Sequence, residues 1–179
     1  IADTDVSGST FKTDSATDAV VTATAGSIAD SGVTATAAGA VLTAGTDISA
    51  TDVVTEGAAV LAATGDIVNS SATSNAAVTA GAANITNLDV DAAGTAALTA
   101  TGAVSGGNVE ASVATVTGAL IANGTVLALA GDATLTSATN ISGMTVGADG
   151  NIVLDANANV IDTGATATGM VTVASGDDA

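Results

Sequence analysis

A short alternation of small and aliphatic residues recurs along the chain. It reads AVVTA at 19–23, AVLTA at 40–44, AAVLA at 58–62, AAVTA at 76–80, AALTA at 96–100, ATVTG at 114–118, ATLTS at 133–137, NIVLD at 151–155 and GMVTV at 169–173. Successive windows start 18 to 21 residues apart. Their centres are Val21, Leu42, Val60, Val78, Leu98, Val116, Leu135, Val153 and Val171, aliphatic every time. Two residues earlier stands Ala in most windows, with Asn151 and Gly169 in two. Alternate residues of a strand share a face, so each window predicts a strand whose inner face reads small–large–small. The residue after the centre is Thr22, Thr43, Thr79, Thr99, Thr117, Thr136 or Thr172, with Leu61 and Leu154 in the other two windows. That column is predicted to point outward, where β-branched Thr stacks well on itself.

A second apolar position follows within each period: Ile28, Ile48, Ile67, Ile85, Val104, Ile141 and Val160. The residue before it includes Asp47, Asp66, Asn84, Asn140 and Asn159. Amides and carboxylates in one column predict a ladder at a corner, because Asn and Asp bond to turn backbone and tolerate left-handed geometry. A third apolar cluster comprises Val33, Val53 with Val54, Leu88 with Val90, Val109, Val126 with Leu127, and Met144 with Val146. Three short strands per period, with Gly, Asn and Asp between them, predict an all-β fold. It is a parallel β-helix, or β-solenoid, of about nine coils of 18–21 residues. Helices are excluded by the spacing of two and by the weight of Gly, Val and Thr. Leu42, Ile48, Val54 and Val60 keep the spacing of six that marks left-handed hexad coils, but the steps drift elsewhere. That looseness favours a right-handed coil. Residues 1–18 stand outside the register, so the solenoid is expected over 19–179. The lead-in is either a frayed tail or an arm that docks on a neighbour with Phe11 as anchor.

Composition narrows the chemistry. The chain has no Pro, Cys, His, Trp or Tyr; Phe11 is its one aromatic residue and Lys12 its one basic residue. Eighteen acidic residues leave a net charge of −17. Such a chain repels nucleic-acid phosphates and anionic lipid surfaces. No apolar run is long enough to make a membrane-spanning helix. With 47% apolar residues, mostly small, the expected core is thin and depends on backbone pairing.

The repeats, for example GDATLTSATNISGMTVGADGNIVLDANANV at 131–160, resemble the β-helical region of filamentous-haemagglutinin-like surface proteins and autotransporter passengers. The likeness covers roughly residues 19–175. It implies secretion, a cell-surface location, and roles in adhesion or filament building. Two features depart from that pattern: aromatic and basic decoration is missing, and no secretion domain or anchor is recognisable.

Enzymatic readings lack their parts. A nucleophile needs a base and no His is present; zinc needs Cys or His. The chain is therefore expected not to be an enzyme and to carry no cofactor, with calcium as the one candidate cation. Its candidate ligands are Asp89 with Asp91, Asp149 with Asn151, and Asp177 with Asp178, against the plainer reading of a solvated acidic surface. Sequons occur at Asn69, Asn84, Asn123 and Asn140. Asp155 is the one charge in the nine windows. Their expected outward neighbours, Val20, Val41, Ala59, Ala77, Ala97, Ile152 and Met170, form a candidate assembly face. The expected partner is a second copy of the chain, in an extracellular filament or surface layer built by end-to-end and lateral packing. The alternative is an adhesin-type module that recognises carbohydrate, a host surface or ice through a Thr-rich face.

Overall fold

A computed structural model describes residues 1–176. Every strand in it pairs in parallel with the strand one coil away. Three sheets wrap one core. The first contains Ala19–Ala23, Ala40–Ala44, Ala59–Ala63, Val78–Ala82, residues 96–100, residues 114–118, Ala133–Ser137, Ile152–Ala156 and Val171–Ser175. The second begins with Val6–Ser7, Ile28–Ala29 and Ile48–Ser49 and ends with Ile141–Ser142 and Val160–Ile161. The third runs from Thr10–Thr13 and Gly32–Ala35 to Thr145–Ala148 and Gly164–Ala167. In the middle coils the strands continue through the corners, as in Ile85–Ala100 and Asn108–Gly118. The outcome is a β-solenoid of about nine coils with a spacing near 19 residues. Coils stacked ~4.8 Å apart make nine strands of one sheet span about 38 Å.

The core is a set of columns. On the second sheet Val6, Ile28, Ile48, Ile67, Ile85, Val104, Ile121, Ile141 and Val160 lie in register. This is the column expected from the sequence, with Ile121 and Val6 added. On the third sheet Phe11, Val33, Val53, Ala72, Val90, Val109, Val126, Val146 and Ala165 are stacked. Beside these, buried Ser31, Thr51 and Ser70 occupy the turn into the third sheet. Their hydroxyls donate to the carbonyls of Ala29, Ser49 and Val68, and Thr51 N–H donates to Ser70 Oγ at 3.2 Å. Among the described residues no buried side-chain polar atom lacks a partner, as a tight interior requires.

The first sheet corrects the register read from the pentapeptide. Its true inner column is Val21, Leu42, Leu61, Ala80, Leu98, Val116, Leu135, Leu154 and Val173. Val60 and Val153 therefore face outward, while Ala59 and Ile152 are fully buried. A shift of one residue turns every side chain to the other face, and runs such as Val60-Leu61 and Ile152-Val153-Leu154 offer an aliphatic residue to both. Val78 is buried as expected but stacks on Ala59 and Ala96. That coil places its large residue two positions early, against Ala80, so the pair keeps the layer filled. Val171 stacks on Ile152 by the same two-residue offset. Asn151 and Gly169 lie before the strands, at a corner. The hexad spacing fails as well: Leu42 and Ile48 are buried, but Val54 is 41% exposed and Val53 takes the core position.

Residues expected to stand outside the register are hydrogen-bonded into it. Thr10–Thr13 pairs with Gly32–Ala35, Val6–Ser7 with Ile28–Ala29, and Ala2 bridges Ala23. Phe11 stacks on Val33 and packs against this chain's own core.

The register has a direct test. Leu61→Asp places an unpaired carboxylate in the core and is expected to cost about 4 kcal/mol or more. The adjacent Val60→Asp points into water and should cost under about 1 kcal/mol. Urea denaturation followed by circular dichroism reads both, and equal costs would refute the corrected register.

Candidate functional site

Each coil turns three corners, and at each corner the ladder needs special chemistry. Between the first and second sheets, Asp47 Oδ1 accepts the N–H of Asp66 at 2.7 Å. Asp66 Oδ1 in turn accepts both the backbone N–H and the side-chain Nδ2 of Asn84, at 3.0 and 2.9 Å. Asn84 Oδ1 accepts from Ala103 N at 2.8 Å, and Asn140 Oδ1 from Asn159 N at 3.1 Å. These bonds run from Asp47 to Ala103 and again from Asn140 to Asn159, with their acceptors along the rod. Each side chain satisfies an N–H one coil on, where the turning backbone leaves it unpaired. The neighbouring glycines make room. A Cβ on Gly65 would sit on Asp47 Oδ1, and one on Gly102 on Asn84 Oδ1.

Two further ladders were not legible beforehand. Between the third and first sheets, Asp132 Oδ1 accepts from Asn151 N at 2.7 Å, and Asn151 Oδ1 from Met170 N at 2.9 Å. Asp18 does the same for Gly39 N at 2.9 Å. The left-handed residues occupy the remaining corner, between the second and third sheets. Gly8, Asp30, Ala50, Asn69, Asn87, Gly106, Asn123, Gly143 and Asp162 all have positive φ there. Asn87 Nδ2 donates to Asn69 Oδ1 at 3.0 Å. The left-handed geometry expected of the Asp47–Asn159 column therefore belongs one corner later. Of the sequons, Asn69 and Asn123 are exposed at this corner, whereas Asn84 and Asn140 are half-buried in the first ladder.

The calcium candidates fall in different places. Asp89 and Asp91 project from the third sheet, Asp89 two coils from Asp52 with Ser71 between them and Asp91 directly opposite Glu110. Asp89 Oδ1 accepts from Asn108 N at 2.9 Å, and Ser71 Oγ donates to Asp52 Oδ1. This acidic edge borders an open groove of about 480 Å³. Asp149 Oδ1 is 3.4 Å from the Thr168 hydroxyl, while the Asn151 side chain is committed to its ladder. Asp177 and Asp178 lie outside the described residues. Among the described residues no three His, Cys, Asp or Glu side chains come together to hold a metal ion.

The outer face of the first sheet is different in kind. One column holds Val20, Val41, Val60, Thr79, Ala97, Thr115, Thr134, Val153 and Thr172. The other holds Thr22, Thr43, Ala62, Gly81, Thr99, Thr117, Thr136, Asp155 and Ala174. Of the expected assembly residues, Val20, Val41 and Ala97 belong here. Ala59 and Ile152 do not, because they face the core, and Val60 and Val153 take their places. Ala77 and Met170 sit just before their strands, Met170 being 66% exposed. Asp155 is the single charge across both columns.

Lys12 Nζ lies 3.6 Å from Asp14 Oδ1. The Thr36 hydroxyl foremost, and then the Lys12 charge, hold the Asp14 carboxyl below its usual value. Any stabilisation from this depressed group is present above the ordinary carboxylate range and fades as pH falls through the lowered value. Two substitution sets check these sites. Thr36→Ala should raise the Asp14 titration midpoint more than Lys12→Ala does, read by NMR. Asp66→Ala, which strips the acceptor from Asn84, should cost about 1–3 kcal/mol. Asp66→Asn keeps an acceptor oxygen and should cost less, and a urea series compares the two. No family model, curated protein or solved structure matches the chain.

Proposed function

We propose that this chain is a structural protein of the cell exterior, a β-solenoid unit that builds a filament, fibre or surface layer. The observation that carries the reading is the separation of charge from one long face. The first sheet presents two outer columns of Val, Thr, Ala and Gly with one acid, while the other described acids lie on the corners and the third sheet. A face without charge is an association surface by default, and the ladder offers a second one along its axis. In the coil that ends with Val171–Ser175, Val171 and Val173 are 41% and 55% exposed, whereas their partners Ile152 and Leu154 are buried. A further rung would cover them as this coil covers Ile152–Ala156. In the proposed assembly another solenoid coil continues the ladder in the same parallel register, and its repetition gives an open filament. The reading assigns the chain no reaction and no cofactor.

A binding-module reading has one observation in its favour. Thr115 and Thr117 lie in register with Thr134 and Thr136, a block of four hydroxyls on the uncharged face. Such a block could meet carbohydrate or ice, and an ice-recrystallisation assay with a glycan array tests it.

Electron microscopy of the purified chain at rising concentration tests the assembly reading. Filaments of constant width are expected. Monodisperse short rods about 40 Å long at every concentration would overturn it.

A further inference from the structure

We propose that the lateral contact of the assembly is the outer face of the first sheet packed on the same face of a second copy, with the two rods antiparallel. The proposal rests on the assembly reading above and names its contact and orientation.

Charge selects the face. With a net charge of −17 and one Lys, two copies repel wherever their acids approach. The third sheet brings Asp52, Asp89, Asp91 and Glu110 outward. The corner between the third and first sheets carries Asp18, Glu56, Asp132 and Asp149, and the next corner carries Asp47 and Asp66. The second sheet carries no acid, but most of its strands are two residues long and its single outer column lies between Asp47 and Asp66 at one corner and Asp30 and Asp162 at the other. The first sheet is the broad one, and it holds Asp155 alone. Its outward-facing residues are those that pack across paired sheets ~10 Å apart: exposed Val20, half-buried Val41, Val60 and Val153, and the Thr columns. Nine strands spanning about 38 Å, each about five residues long, give roughly 630 Å² per copy, somewhat under the ~800 Å² per partner of a standard interface.

Asp155 selects the orientation. In a two-fold pair the axis runs either along the rods or along the strands. With parallel rods, each coil faces its own counterpart and the two Asp155 carboxylates come within roughly 10 Å. With antiparallel rods, the first coil faces the ninth. Asp155, in the eighth, then meets Thr43 of the second, and the two carboxylates are about 29 Å apart. Charge interactions fall off over ~8 Å at physiological salt, so the antiparallel pair escapes the Asp155 repulsion, while Glu56 and Asp132 meet at the exposed rim, where water and salt screen them. The two-fold axis then crosses the fifth coil at Ala97 and Thr99.

The chain has no Cys, so single-cysteine variants report the contact cleanly. Thr99→Cys should form a disulfide-linked dimer with itself under mild oxidation. Thr22→Cys alone should not, because its copies sit at opposite ends. A mixture of Thr22→Cys with Ala174→Cys should cross-link. Thr73→Cys, on the acidic third sheet, is the control and should stay monomeric. Thr99→Asp should weaken the pair at least about tenfold by sedimentation, while leaving the melting transition of the rod unchanged. Self-linking of Thr22→Cys as readily as Thr99→Cys would overturn the antiparallel order. Absence of cross-links in every variant would overturn the contact itself. Filaments one rod wide in that case would leave the assembly reading standing, so the two failures are distinguishable. Protection of the face by ice or a glycan without any dimer would also overturn the contact.

Discussion

Everything in this molecule depends on parallel in-register stacking. Each residue lies on its counterpart one coil away, so a side chain is chosen first for how it meets a near copy of itself. Ile on Ile, Ala on Ala and Thr on Thr satisfy that condition with few rotamers lost. Aromatic rings would demand more width than the narrow interior has, and Phe11 is found only in the first coil. Buried basic groups would have no counter-ion in the columns. The odd composition is therefore the footprint of one geometric constraint, applied about nine times.

The same constraint explains what could be read from the chain alone. The isoleucine column of the second sheet and the Asp47–Asn159 ladder were legible because each has a sharp chemical identity. A lone Ile follows an amide or carboxylate at a corner. The first sheet was legible as a strand but not in register. At Val60-Leu61 and at Ile152-Val153-Leu154 both faces accept aliphatic residues, so alternation carries no phase. The coil with Val78 and Ala80 hid differently, by moving its bulk within the same face. The first coil escaped notice because Thr10–Thr13 and Val6–Ser7 hold only one large apolar residue each. The left-handed corner was missed because Gly, Asn, Asp and even Ala50 fill it, and no residue type marks the column.

Charge follows the same logic at a larger scale. A carboxylate stacked on a carboxylate is unfavourable, so acids are thinned along most columns. Where they do adjoin at a corner, as at Asp47 and Asp66, each accepts the backbone N–H of the next coil, and on the third sheet Ser71 stands between Asp52 and Asp89. The ladder acids are held by the N–H of the next coil. Their negative charge thus serves the backbone at the corners and leaves the first sheet nearly neutral. The candidate assembly surface is the residue of that arrangement: what remains once the corners have taken the polar chemistry.

The direction of the ladder has a mechanical meaning. Strands run around the rod, and their hydrogen bonds point along its axis. Tension along the rod falls on one coil-to-coil interface after another in series. Within each interface the bonds of three strands and the corner side chains share the load. Such a thread resists bending through its width, yet under axial pull it yields at its least-bonded interface and peels coil by coil. Asp66 and Asn84, which carry the corner bonds across adjacent interfaces, add side-chain bonds to the share of that load borne by the backbone ladder.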